Sequence, residues 1–353
     1  MTETALLLAP DHFRTPFAKT SHGLVRGPSR YRIVGVVDGS STQLRDAGLA
    51  LDGQPRDIPF FASVEDALSG LEAPPDHCVV GIATVGGVLP EIVRTELLAA
   101  AAHGIHLVNG LHQLLADDAE VATLAEARGG GLLDLRRPPP VGELRFWTGD
   151  ILALETPRVA VLGTDCALGK RTTCSLLSDA LRTLGARSEM VYTGQTGWLQ
   201  GHPYGFILDA TPNDFVSGEL EAAILACQRE TEPDVILIEG QAALRHPAGP
   251  CGSELLLSGG ARHVVLQHSP AREYFEDHES LGCRIPAIAE EIEIIRLLGS
   301  EVIAVAINEE GLDEASVEAA RLAVEAQAGV PALLPLKEID ALARLTLERI
   351  RPA

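Results

Sequence analysis

The sequence contains few aromatic residues and no recognisable cysteine pattern. Aromatic side chains make up 4% of its 353 residues, and its six cysteines lie at positions 78, 166, 174, 227, 251 and 283, without a Cys-x-x-Cys pair. This scatter argues against disulfides and against a zinc site, so we expect no bound metal. The low aromatic content, together with abundant alanine, leucine and glycine, favours packed α/β layers over a β-sandwich.

Positive charge is also scarce. The chain has 28 lysine and arginine residues against 49 acidic residues, which gives a formal net charge of −21 at pH 7. Such an excess of negative charge argues against a nucleic acid or an acidic membrane surface as a partner. An anionic ligand would therefore need a pocket that is locally basic.

Long hydrophobic runs are absent as well. No apolar segment approaches the roughly 20 residues of a membrane-spanning helix. The apolar residues 5–9 end at Pro10 and lack a preceding basic region, so they do not fit a signal peptide. We expect a cytoplasmic protein that has no membrane partner.

The length of the chain predicts two domains, because 353 residues exceed what most single hydrophobic cores contain. Arg136 and Arg137 precede three consecutive prolines at 138–140, and a proline run suits a linker because it lacks backbone donors and stiffens the chain. We predict a first domain over residues 1–140, a linker over 141–155 and a second domain over 156–353.

Apolar runs alternate with helical patterns in the first domain, which predicts a Rossmann-like, parallel, doubly wound sheet. Strands are predicted over 5–9, 31–37, 77–84 and 105–109, and helices over 63–71 and 89–103. Asp38 ends a strand where Rossmann domains bind a ribose hydroxyl, but no G-x-G-x-x-G precedes it. The glycine-rich segment 81–87 either lines a cleft or forms a tight turn.

The second domain shows the same alternation and is predicted to be another parallel, doubly wound α/β sheet. Strands are predicted over 158–162, 188–192, 235–238, 263–267, 302–307 and 332–335, and helices over 173–184, 218–227, 287–298 and 312–328. Ligands of such sheets bind beyond the carboxyl ends of the strands, so functional residues are expected there.

A phosphate-binding loop follows the first strand of this domain. The predicted anion-binding residues are Gly163, Thr164, Asp165, Gly169, Lys170, Arg171, Thr172 and Thr173. Backbone N–H groups and the helix N-terminus face the anion, and the lysine adds a positive charge. Five residues separate Gly163 from Gly169, where the common P-loop has four, and Arg171 precedes the first hydroxyl. Because that hydroxyl normally holds Mg²⁺, its displacement argues against metal–ATP chemistry but not against phosphate binding.

Other strand ends of the second domain carry polar residues. Glu239 ends an apolar strand, where an unpartnered charge is costly, so we predict that it is functional. Asp214 either caps a helix or takes part in catalysis. His268 is either a hydrogen-bonded strand end or a catalytic group, and Arg245 with His246 are expected to lie in a nearby loop, where they are either functional or a solvated pair.

The second domain resembles the dethiobiotin-synthetase type of P-loop fold in three respects. These are the Gly-Thr-Asp opening at 163–165, the spacing before Gly169 and Lys170, and the Glu-Gly pair at 239–240, whereas Arg171 departs from that type. Nearly the whole chain resembles the DgcN-like family, which pairs a Rossmann-like domain with this P-loop domain. The matching segments are 163–173, 193–197, 214–218 and 238–241 in the second domain, and 81–87 and 109–112 in the first.

The resemblance implies N-acetylation of D-glutamate or a related D-amino acid, with acetyl-CoA as the acetyl donor. Coenzyme A carries a diphosphate and a 3′-phosphate, which a cationic loop holds without hydrolysing anything; Arg171 suits a polyphosphate bound without metal. The partners implied are these two small molecules, and we expect a homo-oligomer.

Acetyl transfer to an amine requires a base, oxyanion donors and a positioned thioester. We assign the base to Glu239, with Asp214 and His268 as rivals, since burial raises the pKa of a carboxyl group. The substrate-binding residues are predicted to be Gln195, Thr196 and Gln241 in glycine-rich turns, with Arg245 and Arg272 for a dicarboxylate.

Two alternative functions remain open at this point. The first is an ATP-dependent ligase or kinase that uses Lys170, Thr172 and a Mg²⁺ ion held by Glu239. The second is a non-catalytic module that binds a nucleotide or coenzyme A.

Overall fold

A computed structural model describes residues 2–351 and divides the chain into two compact units. The first unit extends to Pro138 and also contains Gln195–His202, whereas the second contains Pro139–Gly194 and the chain from Pro203 onward. Residues 141–155, predicted to be a linker, lie in the second unit, where they include the short 3₁₀ helices Val141–Glu143 and Asp150–Ala153.

The first unit is built around a parallel sheet with the strand order β3-β2-β1-β4-β5-β6. Its strands are β1 (Thr4–Leu8), β2 (Arg32–Val37), β3 (Phe60–Phe61), β4 (His77–Val80), β5 (His106–Asn109) and β6 (Leu132–Asp134). Its helices include α1 (Lys19–Arg26), α2 (Ala47–Asp52), α3 (Val64–Gly70), α4 (Glu91–Ala102) and α5 (Ala119–Ala127). The central strand β1 is apolar and buried from Ala5 to Leu8, as expected for a parallel strand covered on both faces.

The second unit is built around a parallel sheet with the order β13-β12-β11-β7-β10-β8-β9. Its strands are β7 (Arg158–Gly163), β8 (Ser188–Tyr192), β9 (Tyr204–Gly205), β10 (Val235–Glu239), β11 (His263–His268), β12 (Glu301–Ile307) and β13 (Ala332–Leu333). The helices that follow β7 along the chain are α6 (Lys170–Thr183), α7 (Gln195–Leu199), α8 (Asn213–Thr231), α9 (Ser253–Leu257), α10 (Ile288–Leu297), α11 (Glu314–Ala328) and α12 (Ile339–Ile350). Of these, α7 belongs to the first unit.

Both parallel sheets confirm the predicted α/β fold of two domains, one Rossmann-like and one of the P-loop type. In the second unit β7 lies between β11 and β10, with Gly163 paired to Gln267 and Val161 paired to Glu239. The carboxyl ends of these three strands therefore meet at one edge of the sheet, which is where the phosphate loop begins. Among residues 2–351, no helix is long and apolar enough to cross a bilayer.

Two first-domain expectations are resolved by local contacts. Asp38 is fully buried, and its carboxylate accepts from the backbone N–H of Asp11, from Ser40 and from the Ser41 hydroxyl, so it caps the chain after β2 and is not free for a ribose. Within residues 81–87, Gly86 and Gly87 have φ of 67° and 64°, which shows that the segment contains a tight turn.

Candidate functional site

The phosphate loop connects β7 to α6. The backbone N–H of Thr164 donates to the carbonyl of Gln267 over 3.0 Å and so extends the pairing with β11. Gly169 precedes the helix with a φ of 94°, in the left-handed region that favours glycine. At Gly163 a Cβ atom would lie 2.9 Å from Cδ of Lys170, so this glycine makes room for the lysine side chain.

Lys170 starts α6, and its side chain is buried under the loop, with 7% of the residue exposed. Its ammonium group donates to the carbonyl of Asp165 over 2.6 Å and to the carbonyl of Ala242 over 2.8 Å. The lysine therefore joins the loop to the segment that follows β10. Arg171, the next residue, is partly buried at the N-terminal turn of the same helix.

Asp165 is fully buried and holds the loop in place through its carboxylate. One oxygen accepts from Nη1 of Arg272 and from the backbone N–H of Glu276, each over 2.9 Å, and the other accepts from the N–H of Cys166 over 2.7 Å. Since these donors belong to the protein, the carboxylate of Asp165 holds the loop in its conformation.

The two arginines predicted to bind a dicarboxylate are already paired with acidic residues. Arg272 donates to Asp165 and, over 3.2 Å, to Glu310. Arg245 donates to Glu291 over 2.5 Å and to Glu290 over 2.8 Å. A substrate carboxylate would have to compete with these contacts.

Glu239 ends β10 and is buried, with 4% of the residue exposed. Its Oε2 accepts from the backbone N–H of Thr193 over 3.0 Å, and the Thr193 hydroxyl donates to the Glu239 carbonyl over 2.8 Å. Burial raises the pKa of Glu239, while the positive charge of Arg171 is the largest influence in the opposite direction, followed by N–H groups of residues 193 and 194 and by Lys170. Gln241 donates to the Thr193 hydroxyl over 3.0 Å and so completes this group.

His268 ends β11 and contacts the loop. Its Nδ1 lies 2.9 Å from the hydroxyl of Thr164, and burial lowers its pKa to about 4. The imidazole is therefore neutral near pH 7. One residue earlier, Gln267 accepts from the hydroxyl of Thr173 over 2.7 Å, so Thr173 faces the sheet.

Three more predicted site residues, Asp214, Gln195 and Thr196, lie at the starts of two helices, α8 and α7. Asp214 is exposed in the first turn of α8, and the helix-cap interpretation is wrong because Pro212 occupies the N-cap position. Gln195 and Thr196 begin α7 in the first unit, where the Thr196 hydroxyl lies 3.4 Å from that of Thr20.

Near the loop, His246 was predicted to be either functional or part of a solvated pair with Arg245, and its burial makes the solvated-pair interpretation wrong. His246 is 6% exposed, with Nε2 3.6 Å from Asp165 and its ring edge-on to Phe275. Its burial depends on a distant segment, so no local pattern predicts it. Asn308 was missed in the sequence analysis. It donates to the carbonyl of Leu168 over 3.0 Å, and its place directly after a predicted strand was the available signal.

Two further features of the described residues resemble ligand sites: a cluster of donor atoms and a cavity. Donor atoms of Asp165, Cys166 and His246 lie within 4.8 Å of one another. The Asp165 carboxylate already accepts from Arg272 and from backbone N–H groups, and these positive neighbours disfavour a cation. A cavity of about 680 Å³ beside α8 and β9 contains none of the predicted site residues in its lining.

Comparison with known proteins places this site in a family. Residues 145–343 match the family model described as a domain of unknown function, DUF1611_C, a P-loop domain. The chain belongs to the DUF1611 family. Residues 40–138 match the corresponding Rossmann-like domain, DUF1611_N, so the predicted pairing of domains is confirmed.

Two curated relatives and one solved structure resemble the DUF1611 chain. A D-glutamate N-acetyltransferase of Tritonibacter scottomollicae is 29% identical over 277 residues, which cover 75% of the chain and 80% of the relative. A D-glutamate N-acetyltransferase of a Pseudoalteromonas species is 32% identical over 217 residues, covering 61% and 62% respectively. A crystal structure of a DUF1611 family protein from Anabaena variabilis is 29% identical, with a TM-score of 0.86 over 99% of this chain and 100% of that one.

Proposed function

We propose that the protein is an N-acetyltransferase that moves the acetyl group of acetyl-CoA to the amine of D-glutamate or a related D-amino acid. The names of two relatives support this activity, and both alignments extend over more than half of the chain. The observation that carries the proposal is the anion-binding loop with Arg171 at the position of the usual Mg²⁺ ligand. Such a loop suits binding of a phosphate group that stays intact.

The phosphate loop binds the diphosphate of coenzyme A in this proposal. Backbone N–H groups at the start of α6 and the ammonium group of Lys170 supply the donors. The side chain of Lys170 donates to two carbonyl oxygens, which hold its positive charge beside the loop.

This binding mode has a consequence for the predicted base. About 13 bonds separate the thioester sulfur of acetyl-CoA from its diphosphate, and an extended arm of that length spans ~15 Å. Glu239 lies only three residues before Ala242, whose carbonyl accepts from Lys170, and three residues span at most ~11 Å. We infer that Glu239 lies closer to a diphosphate in the loop than the thioester at the end of an extended arm does.

His268 contacts Thr164 in the loop, so it also lies closer to the proposed diphosphate than the thioester of an extended arm does. Asp214 is the predicted base without such a loop contact, and it is exposed on α8. We therefore propose that Glu239 and His268 shape the phosphate site, and that Asp214 is the first of the three to test as a base.

A thiol-release assay with acetyl-CoA and D-glutamate in EDTA tests the activity. We expect thiol release that requires the amino acid, and we expect Lys170→Ala to raise KM for acetyl-CoA by roughly 10- to 100-fold through loss of one charge-assisted contact. Lys337→Ala is the matched control, because Lys337 pairs with Glu309 on the surface.

A parallel reaction with ATP and Mg²⁺ measures ADP. ADP formation without thiol release would contradict the proposal in favour of the ligase or kinase. Binding of coenzyme A without either product would favour the non-catalytic module.

A further inference from the structure

The residue after the loop lysine determines whether a P-loop can hold Mg²⁺, because a serine or threonine hydroxyl at that position is the metal ligand. Arg171 occupies that position here. Thr172 is one residue later, which places its side chain about 100° further around the helix. The Thr173 hydroxyl donates to Gln267 over 2.7 Å and faces the sheet. Neither threonine therefore replaces the missing ligand by position.

This chain also has an acidic residue on a strand next to the loop, as P-loop enzymes do. Here, however, an arginine stands where those enzymes have the metal-binding hydroxyl. In P-loop enzymes an acidic residue on a nearby strand helps to hold the metal ion. Glu239 occupies the end of β10, next to β7, and is buried together with its Thr193 contact. A buried carboxylate is costly unless an opposite charge or hydrogen bonds compensate it. Arg171 and, less strongly, Lys170 lower the pKa of Glu239 against the larger effect of its burial.

We propose that the guanidinium group of Arg171, in the first turn of α6, takes the place of Mg²⁺ at the phosphate loop, so that the site binds a diphosphate without a divalent metal. The identity of that diphosphate as part of coenzyme A rests on the proposed function. A guanidinium group keeps its charge at all physiological pH values and presents a planar set of donors that matches phosphate oxygens.

The charges around the loop agree with a guanidinium group in place of the metal ion. Lys170 and Arg171 contribute two positive charges at the N-terminus of α6, while the buried carboxylate of Asp165 in the loop is paired with Arg272. Glu239 is another buried acidic residue at this edge of the sheet. A Mg²⁺ ion added beside Arg171 would meet a like charge at short range, which is unfavourable in a partly buried site. The fixed guanidinium therefore both supplies the missing charge and excludes the ion.

Isothermal titration of the full chain with inorganic pyrophosphate and with coenzyme A, each in EDTA and in MgCl₂, tests the inference. For the wild-type protein we expect the dissociation constant of coenzyme A to differ by less than roughly threefold between the two conditions. Pyrophosphate forms a complex with Mg²⁺ in solution, so we expect it to bind more weakly in MgCl₂ than in EDTA. Arg171→Ser places a hydroxyl directly after Lys170. We expect this variant to lose about tenfold or more in affinity in EDTA and to recover affinity in Mg²⁺.

Arg296→Ser is the matched control, since Arg296 is an exposed arginine on α10 that pairs with Glu293. It should bind both ligands as the wild type does, and circular dichroism checks that Arg171→Ser is folded. Conversion of Arg171→Ser to Mg²⁺-dependent binding is a readout that a merely destabilising substitution would not give.

Three results would overturn the inference. These are loss of wild-type binding in EDTA, unchanged binding by Arg171→Ser in EDTA, and no binding of either ligand by the wild type. Failure of the acetyltransferase assay alone is a separate outcome, because pyrophosphate binding involves no acetyl transfer. Binding of pyrophosphate but not of coenzyme A would retain the role of Arg171 and remove coenzyme A as the ligand.

Discussion

At the scale of single residues, two different chemical roles are open to Glu239. As a base it would accept a proton from the substrate, whereas beside Arg171 it balances a positive charge. The contacts with Thr193 fix the carboxylate in place, and burial raises its pKa against the influence of Arg171. The two roles predict different effects of Glu239→Gln, which removes the charge alone: a base affects turnover, whereas a charge-balancing group affects phosphate binding.

Glu239→Gln keeps the shape of the side chain and an oxygen for the Thr193 N–H. We expect pyrophosphate to bind roughly 3- to 10-fold more tightly to this variant in EDTA, because a negative charge near the anion is lost. The turnover number should fall by much less than the ~10²-fold expected for loss of a general base. Unchanged binding with a ~10²-fold loss of turnover would instead establish Glu239 as the base.

His268 gives the second residue-scale prediction, which concerns pH. Burial lowers its pKa from 6.5 to about 4, so the folded protein binds a proton at this ring less readily than the unfolded chain. The stability that this difference contributes is fully present above pH 6.5 and is lost as the pH falls towards 4. The maximum contribution is of order 3 kcal/mol.

Urea unfolding between pH 7 and pH 4.5 measures this effect. The wild type should lose stability over that range, and His268→Asn should lose less, because asparagine does not titrate. His103→Asn is the control, since His103 is an exposed residue of α4's C-terminal end. Equal pH dependence in the wild type and His268→Asn would show that His268 does not titrate as its burial implies.

At the scale of elements, the turn from β7 into α6 depends on Gly169. Its φ of 94° is unfavourable for other residues, yet a Cβ atom there would meet nothing within 4 Å. The glycine is therefore required for the direction of the backbone and not for space. Gly185, which follows the same helix, has a φ of 90° and is equally uncrowded.

These two glycines form a matched pair for substitution by alanine. Each change should destabilise the protein by roughly 1–2 kcal/mol through backbone strain. Only Gly169→Ala should also weaken pyrophosphate binding, by about tenfold or more, because it redirects the N–H groups of the loop. Thermal unfolding and titration calorimetry separate the two effects. Equal binding losses at both positions would show that the loop has no special role.

The elements that the sequence predicted well are those whose signal is local. The central strands β7, β10 and β11 are continuous apolar runs, which is the pattern of parallel strands buried on both faces. The edge strands β3 and β9 have two residues each, too few for any periodicity. The segment that begins at Gln195 was predicted to be a turn but forms α7, because its Leu199 packs in the first unit's core.

At the scale of the whole molecule, the difference between local and long-range contacts explains which site residues could be predicted from the sequence. Neighbouring parallel strands end at one edge, so the proximity of Glu239 and His268 to the loop was predictable from strand order. Arg272 and Asp165 are 107 residues apart in sequence, and their contact depends on the path of the chain after β11. No periodicity records that path, so Arg272 was predicted to bind substrate although it holds the loop.

Other whole-molecule expectations stay predictions, namely the homo-oligomer, the cytoplasmic location and acetyl-CoA as donor. The segment that joins the two predicted domains does present exposed apolar side chains, with Phe146 and Leu152 65% and 73% exposed. Single exposed apolar side chains are normal on protein surfaces, so these two residues do not decide the oligomeric state.

The arginine that follows the loop lysine also bears on competition among cellular phosphates. Nucleoside triphosphates bind proteins largely as Mg²⁺ complexes, with the ion bridging their phosphate oxygens. A fixed guanidinium group where that ion would lie repels the complex through like charge, whereas it attracts a diphosphate that carries no metal. In the proposed site, Arg171 would thus select among cofactors by their metal content, without any contact to a base or a sugar.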